Sequence, residues 1–146
     1  MIRLYDNTDQ DRLLELLQLN TPDYFAPEER ADFIRYLGLH PGEHYVWEEN
    51  GTILGCAGAN WYPDSDDGRV SWFIVHPDTK GRGIGMGLLQ HCLSQLRANP
   101  ATQTIIVRTS QMAEGFFARG GFTTVRKEKD YWAPGFDLVY MKMEVG

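Results

Sequence analysis

The stretch VHPDTKGRGIGMGLL, Val75 to Leu89, carries glycines at positions 81, 83, 85 and 87 between an apolar run and a leucine-rich segment. The apolar run, RVSWFIV, reads as a central strand buried on both faces and ended by Pro77. On the other side, Ile84, Leu88, Leu89, Cys92, Leu93 and Leu96 recur at helical spacing up to the stop at Asn99-Pro100. A loop that leaves a strand and enters a helix presents unpaired N–H groups and the positive end of the helix dipole, a setting that suits an anion. Glycines let that backbone come close to a ligand.

Spacing excludes two kinds of phosphate loop. A GxxxxGK[ST] loop fails because no glycine here is followed by Lys and then Ser or Thr. The dinucleotide fingerprint GxGxxG fails because starts at Gly81, Gly83 or Gly85 put Met86, Leu88 or Gln90 at the last glycine.

Outward from the loop, MIRLY reads as a short strand and NTDQDRLLELLQLN as an amphipathic helix with Asn7 and Thr8 as candidate caps. A second helix spans Pro27 to Leu39 and breaks at HPG. EHYVWEENGTILGCAGANWY then reads as two strands joined by a hairpin at Asn50-Gly51, with DSDDG as a further turn. Beyond the loop's helix come the strand TQTIIVRTS, a short helix in QMAEGFFARGG, and the strands FTTVRKEK and DLVYMKMEV around a loop DYWAPGF. This order predicts an α/β fold, an α+β sandwich with a mixed, mainly antiparallel sheet flanked by helices.

With 146 residues, 42% of them hydrophobic, the chain can bury one core, so a single domain over residues 1–146 is expected. No apolar run approaches the roughly 20 residues that cross a bilayer, and the first residues lack the basic-then-apolar order of a signal peptide. The expectation is a cytoplasmic protein with no membrane partner. Cys56 and Cys92 sit in apolar segments without metal-ligand spacing and read as buried thiols, with no metal expected. A net charge of −6 without a Lys/Arg cluster argues against nucleic acid and is compatible with a cationic substrate.

VHPDTKGRGIGMGLL resembles the pyrophosphate loop of the GNAT superfamily, the acyl-CoA-dependent N-acyltransferases, whose pattern is [Q/R]xxGx[G/A]. In the frame set by Val75 and Pro77 the pattern falls on Lys80, Gly83 and Gly85, with Lys in place of Gln or Arg; Arg82, Gly85 and Gly87 give a second frame. SQMAEGFFARGGF resembles the family's later AxxxYxxxGF segment through Ala113, Gly121 and Phe122, with Phe117 where many members carry Tyr. The resemblance covers Arg69 to Val145. It implies a GNAT-like twisted sheet with two splayed central strands, one ending at Val75 and the other TIIVR. It also implies acetyl-CoA as co-substrate, with pantetheine held by Phe73, Ile74 and Val75 and pyrophosphate by Lys80, Gly81, Arg82, Gly83, Ile84 and Gly85. Ser110, Phe116 and Phe117 complete the implied contacts, and a homodimer through C-terminal strands is a further family-based expectation.

The implied reaction is direct attack of an amine on acetyl-CoA, the acceptor being a small molecule, an amino acid or a peptide or protein amine. An amine with a pKa near ~10 must lose a proton first, so a base is required. Phe117 has no hydroxyl and cannot serve as acid. Tyr131 and Tyr140 are candidate acids; Glu48, Asp64 and Asp137 are candidate bases or amine anchors. His76 is a further candidate whose turn position points to a solvated side chain. Tyr24, Phe25, Trp61, Tyr62, Tyr131 and Trp132 could line an acceptor cleft. Two competing readings remain at this point, a non-catalytic acyl-CoA-binding or sensing module and an unrelated nucleotide binder.

Overall fold

The computed structural model describes residues 1–145. Seven strands form one sheet: β1 (Ile2–Leu4), β2 (His44–Glu49), β3 (Thr52–Tyr62), β4 (Asp67–Val75), β5 (Thr104–Thr109), β6 (Thr123–Ala133) and β7 (Phe136–Glu144), in the order β1-β2-β3-β4-β5-β7-β6. Every pairing is antiparallel except β4 with β5. That exception needs a crossover, and the helix α3 (Ile84–Arg97) supplies it. The mixed, mainly antiparallel sheet flanked by helices is the architecture the element order predicts.

Two hydrophobic layers sandwich the sheet. On one face α1 (Gln10–Leu19) and α2 (Glu29–Leu39) bury Leu13, Leu16, Leu17, Phe33 and Leu37 against Val46, Ile53, Cys56 and Ile74. On the other, α3 and the short α4 (Glu114–Arg119) bury Leu88, Leu89, Leu93 and Phe117 against Ala57, Val70, Ile105 and Val107. The alternation along β4 and β5 therefore serves two cores at once. Cys56 and Cys92 are free, buried thiols whose pKa values are raised by burial. Among the described residues no helix is long and apolar enough to cross a membrane.

Turn chemistry follows the sequence at the β2–β3 hairpin, where Asn50 and Gly51 both take positive φ, 51° and 79°. Two local details differ from expectation. Asp6, rather than Asn7 or Thr8, caps the first helical turn, its carboxylate accepting from the Thr8 N–H while Asp9 reaches back to the Asp6 N–H. The segment predicted as a loop, DYWAPGF, is mostly strand: β6 continues through Tyr131 and Trp132, and only Pro134-Gly135 turns, with Gly135 at φ 85°. A bulge around Asp130 permits this, since its N–H donates to Asp137 and its carboxylate accepts from the Gly135 N–H.

One irregularity opens the molecule. Along β3–β4 the register steps from Cys56↔Ile74 to Gly58↔Ser71, so Ala57 faces both Trp72 and Phe73. Trp72 takes φ 49°, a strained value for an aromatic residue, held by its ring stacking on Phe33 at 4.8 Å and Phe25 at 6.1 Å. The bulge bends β4, and its pairing with β5 stops at Val70↔Val107, just before it. Beyond that point the two central strands part.

Candidate active site

The parted strands open a cleft of about 830 Å³. It reaches from α2 and the segment before it, through the gap between β4 and β5, to the glycine loop and α4. Gly81 and Gly83 stand at φ 85° and 81°, and Gly83 is the N-cap of α3, with no side chain capping that helix. The first intrahelical bond from this terminus runs from the Gly87 N–H to the Gly83 carbonyl, so the amides of Ile84, Gly85 and Met86 have no partner within the helix. Natural helices usually spend a Ser, Thr, Asp or Asn here. An uncapped start at the wall of a cleft is a donor array for an anion.

The two glycine frames separate in space. A Cβ on Gly85 would lie 3.3 Å from the Phe116 ring, within the cleft wall, whereas one on Gly87 would lie 2.6 Å from the Trp47 ring, away from it. Gly87 is small for packing and Gly85 for access. Across the gap, the His76 N–H donates to the Leu54 carbonyl at 2.8 Å. Alternate residues of an antiparallel ladder turn their polar groups away from the partner, so Val75 directs its N–H and carbonyl toward the side β5 has vacated. Asn20 takes that carbonyl, donating from Nδ2 at 3.1 Å, and the Val75 N–H remains for a ligand.

Toward α2 the cleft is lined by residues the sequence reading did not select: Glu29, Tyr36, Arg69, Trp72 and Arg108. Glu29 opens α2 and accepts from the Ala26 N–H at 2.8 Å; burial raises its pKa above the usual carboxylate range. Tyr36 hydrogen-bonds His44 Nδ1 at 3.1 Å and accepts from Asn60 at 3.1 Å, and burial raises its pKa as well. Arg69 lies over the Tyr62 ring at 4.1 Å, and its Nε is buried without a partner. Arg108 donates to the Tyr131 hydroxyl at 2.6 Å. The signal for both arginines was present, since each is a lone charge in an otherwise apolar central strand, RVSWFIV and TIIVR. Glu29 had none that set it apart from Glu28.

Among the residues expected to hold the donor, Phe73, Val75, Lys80, Gly81, Gly83, Ile84, Gly85, Ser110, Phe116 and Phe117 all line the cleft. Ile74 does not: it pairs with Cys56 and its side chain is 1% exposed in the α1–α2 core. Arg82 does not either, because its guanidinium pairs with Glu49 at 2.6 Å and its N–H donates to Thr79. Lys80 reaches across the cleft mouth to the Tyr24 hydroxyl at 2.5 Å. Phe117 packs edge-on against Phe73, Phe116 and Phe122 as a core aromatic.

The candidate acids and bases fare differently. Glu48 is drawn to the far side of β2 by Arg3, at 3.1 Å, within an Arg3–Asp9–Glu48 cluster outside the cleft. Tyr140 lies under the Arg126 guanidinium at 5.1 Å and also misses the cleft. Tyr131 does not line the cleft either, although it accepts from Arg108, which does. Asp64 belongs to the turn after β3, Asp137 lies in β7 and accepts from the Asp130 N–H at 3.0 Å, and His76 accepts from the Asp78 N–H at 3.1 Å as a local cap. Of the aromatic set, Tyr24, Phe25, Tyr62 and Trp132 line the cleft; Trp61 and Tyr131 do not.

Comparison with known proteins places this geometry. The model of the acetyltransferase (GNAT) family matches residues 12–122. An amino-acid acetyltransferase from Ralstonia nicotianae is 31% identical over 113 residues, covering 77% of this chain and 24% of that protein. The chain thus spans about a quarter of the length of the curated relatives it matches. The structure of Ard1 from Thermoplasma volcanium superposes with a TM-score of 0.83 at 18% identity, over 100% of this chain and 97% of that one. N-acetylglutamate synthase from Neisseria gonorrhoeae, solved with coenzyme A and N-acetyl-glutamate, superposes at 0.77 with 20% identity, over 100% of this chain and 35% of that one. Matched by the family model over most of its length and built on the fold of these structures, the chain belongs to the acetyltransferase (GNAT) family.

Proposed function

We propose that this chain transfers an acetyl group from acetyl-CoA to a primary amine by direct attack. The observation that carries the reading is one cleft joining the β4–β5 gap to the uncapped start of α3. The donor fits it in two parts. The pyrophosphate suits the backbone from Lys80 to Gly85, with Lys80 and Arg119 as the cations on that part of the wall. Pantetheine suits the gap, beside Phe73 and Val75 on one strand and Ser110 and Phe116 beyond the other.

The chemistry then falls to few groups. The Val75 N–H, turned into the gap, polarises the thioester carbonyl and stabilises the oxyanion of the tetrahedral intermediate. Among the described residues Glu29 is the one carboxylate lining the cleft, and its raised pKa suits a base. It takes a proton from the ammonium; the nitrogen lone pair attacks the carbonyl carbon; the C–S bond breaks and sulfur leaves with the pair. A thiol is a stronger acid than an amine by about two pKa units, so the thiolate departs without the hydroxyl that Phe117 lacks.

The test is thiol release from acetyl-CoA across a panel of amines. Acetyl-CoA is expected to raise the melting temperature, with turnover on at least one amine. Stabilisation without turnover on any acceptor would favour a sensing module, and stabilisation by ATP or NAD in place of acetyl-CoA would favour a nucleotide binder. Gly85→Val adds a companion result. Its side chain enters a wall where Phe116 already stands 3.3 Å from the Cβ position, so acetyl-CoA affinity is expected to fall at least about tenfold with the fold retained.

A further inference from the structure

We propose that the amine acceptor carries a carboxylate, which Arg69 and Arg108 recognise; this rests on the acetyl-transfer reading above. The argument begins with charge. The chain holds 20 acidic residues against 14 basic ones, and its arginines outside the cleft are largely paired: Arg3, Arg12, Arg35, Arg82 and Arg126 all meet a carboxylate. Among the described residues, Arg69 and Arg108 meet none within ion-pair distance, although both line the cleft.

Their placement is convergent. Arg69 pairs in register with Ile106, and Arg108 stands two residues further along β5, so both arginines share the sheet face covered by α1 and α2. They stand on the two strands that part there. Arg69 is fixed by the Tyr62 ring at 4.1 Å, and Arg108 by Tyr131 and by the Trp132 ring at 5.4 Å. Orientation is thus supplied by aromatic groups, which leave most of the guanidinium N–H donors unspent. The Nε of Arg69 is buried and bonded to nothing in the protein. A half-buried guanidinium held in place without an anion is a receptor for one, and its planar fork suits a carboxylate.

Glu29 completes the pattern from the helix layer over the same face. An acceptor with ammonium and carboxylate close together, as in a free amino acid, can direct its nitrogen to Glu29 and the thioester while its carboxylate meets the arginines. A purely cationic polyamine would bring like charge against Arg69 and Arg108. The overall charge of −6 thus does not describe the acceptor end of the cleft.

The experiment measures thiol release with free amino acids, the amides of the same amino acids, and simple alkylamines. The native protein is expected to favour free acids over their amides by at least about tenfold in kcat/KM. R69Q and R108Q are expected to bring that ratio to about one, chiefly through KM for the acid, and R69K to retain an intermediate ratio. Stabilisation by acetyl-CoA, bound at the other end of the cleft, reports that each variant is folded. Amides or alkylamines used as well as the acids, or a preference for acids that R69Q and R108Q leave intact, would overturn the inference and leave acetyl transfer standing. No turnover on any amine would overturn both.

Discussion

Glu29→Gln is expected to lower kcat about 10²- to 10⁴-fold while acetyl-CoA affinity stays within about twofold. The reason is the division of labour in the carboxylate. One oxygen accepts from the Ala26 N–H at 2.8 Å and fastens the start of α2; the proposed role needs only that the group also accept a proton. Gln keeps an acceptor for the amide and cannot serve as base, so structure and chemistry separate. Glu29→Ala loses both, and about 1 kcal/mol of stability should go with the missing hydrogen bond to the Ala26 N–H. Because burial raises the Glu29 pKa, the native kcat/KM should climb with pH through a limb above the ordinary carboxylate range. That limb should be absent from E29Q. The same shift sets the sign for folding: protonated Glu29 suits the fold, so the stability it contributes is lost as pH rises through its raised pKa. E29Q should therefore be no less stable than the native chain near neutrality. A variant with unchanged kcat would remove Glu29 from the mechanism.

The donor end of the cleft was legible because its chemistry is backbone chemistry. Glycines at 81 and 83 announce positive φ, Gly85 announces close approach, and the strand before them announces a buried β4. Even the choice between frames follows from elements already read, since Gly87 lies one helical turn past Gly83 and meets Trp47. The exceptions have equally local causes. Arg82 stands in the middle of the motif, yet the β2–β3 hairpin delivers Glu49 beside it, and an ion pair at 2.6 Å takes the side chain away from the cleft. No spacing within the loop encodes a partner thirty-three residues earlier.

The acceptor end was hidden for a different reason. Its members come from α2, β4, β5 and β6, and only the bulge at Trp72 brings them to one opening. That bulge has no composition signal, since a tryptophan at φ 49° is held by Phe25 and Phe33 from another layer. Glu48 shows the converse. On an isolated strand it looked available, but β1 lies beside β2 and Arg3 claims it. Net charge misled in the same way, because carboxylates spread over the surface say nothing of Arg69 and Arg108 facing one cleft.

Acid is expected to weaken the fold well above the range where surface carboxylates titrate, by ~3 kcal/mol between about pH 7 and about pH 4, and His44 is the cause. The ring is fully buried, edge-on to Tyr5, Phe33 and Tyr36, with Nδ1 3.1 Å from the Tyr36 hydroxyl and Nε2 bonded to nothing. Burial pushes its pKa from 6.5 down to about 3, with His40 acting in the same direction. The unfolded chain binds this proton near pH 6.5 and the folded chain does not until about pH 3, so stability is full above the first value and falls steadily toward the second. Asp9, whose carboxyl is held low by Arg3, adds its loss only below the ordinary aspartate range, and Glu29, whose pKa is raised, acts above that range with the opposite sign, so the loss there belongs to the histidines. His91 is shifted the same way by burial, but it is only partly enclosed. Urea unfolding at about pH 7, 5 and 4 measures the slope, and His44→Gln should flatten most of it while lowering stability at neutrality. An unchanged slope in that variant would assign acid sensitivity elsewhere. Because Tyr36 lines the cleft and leans on His44, a flattened slope would also tie the acid limit of folding to the acceptor wall.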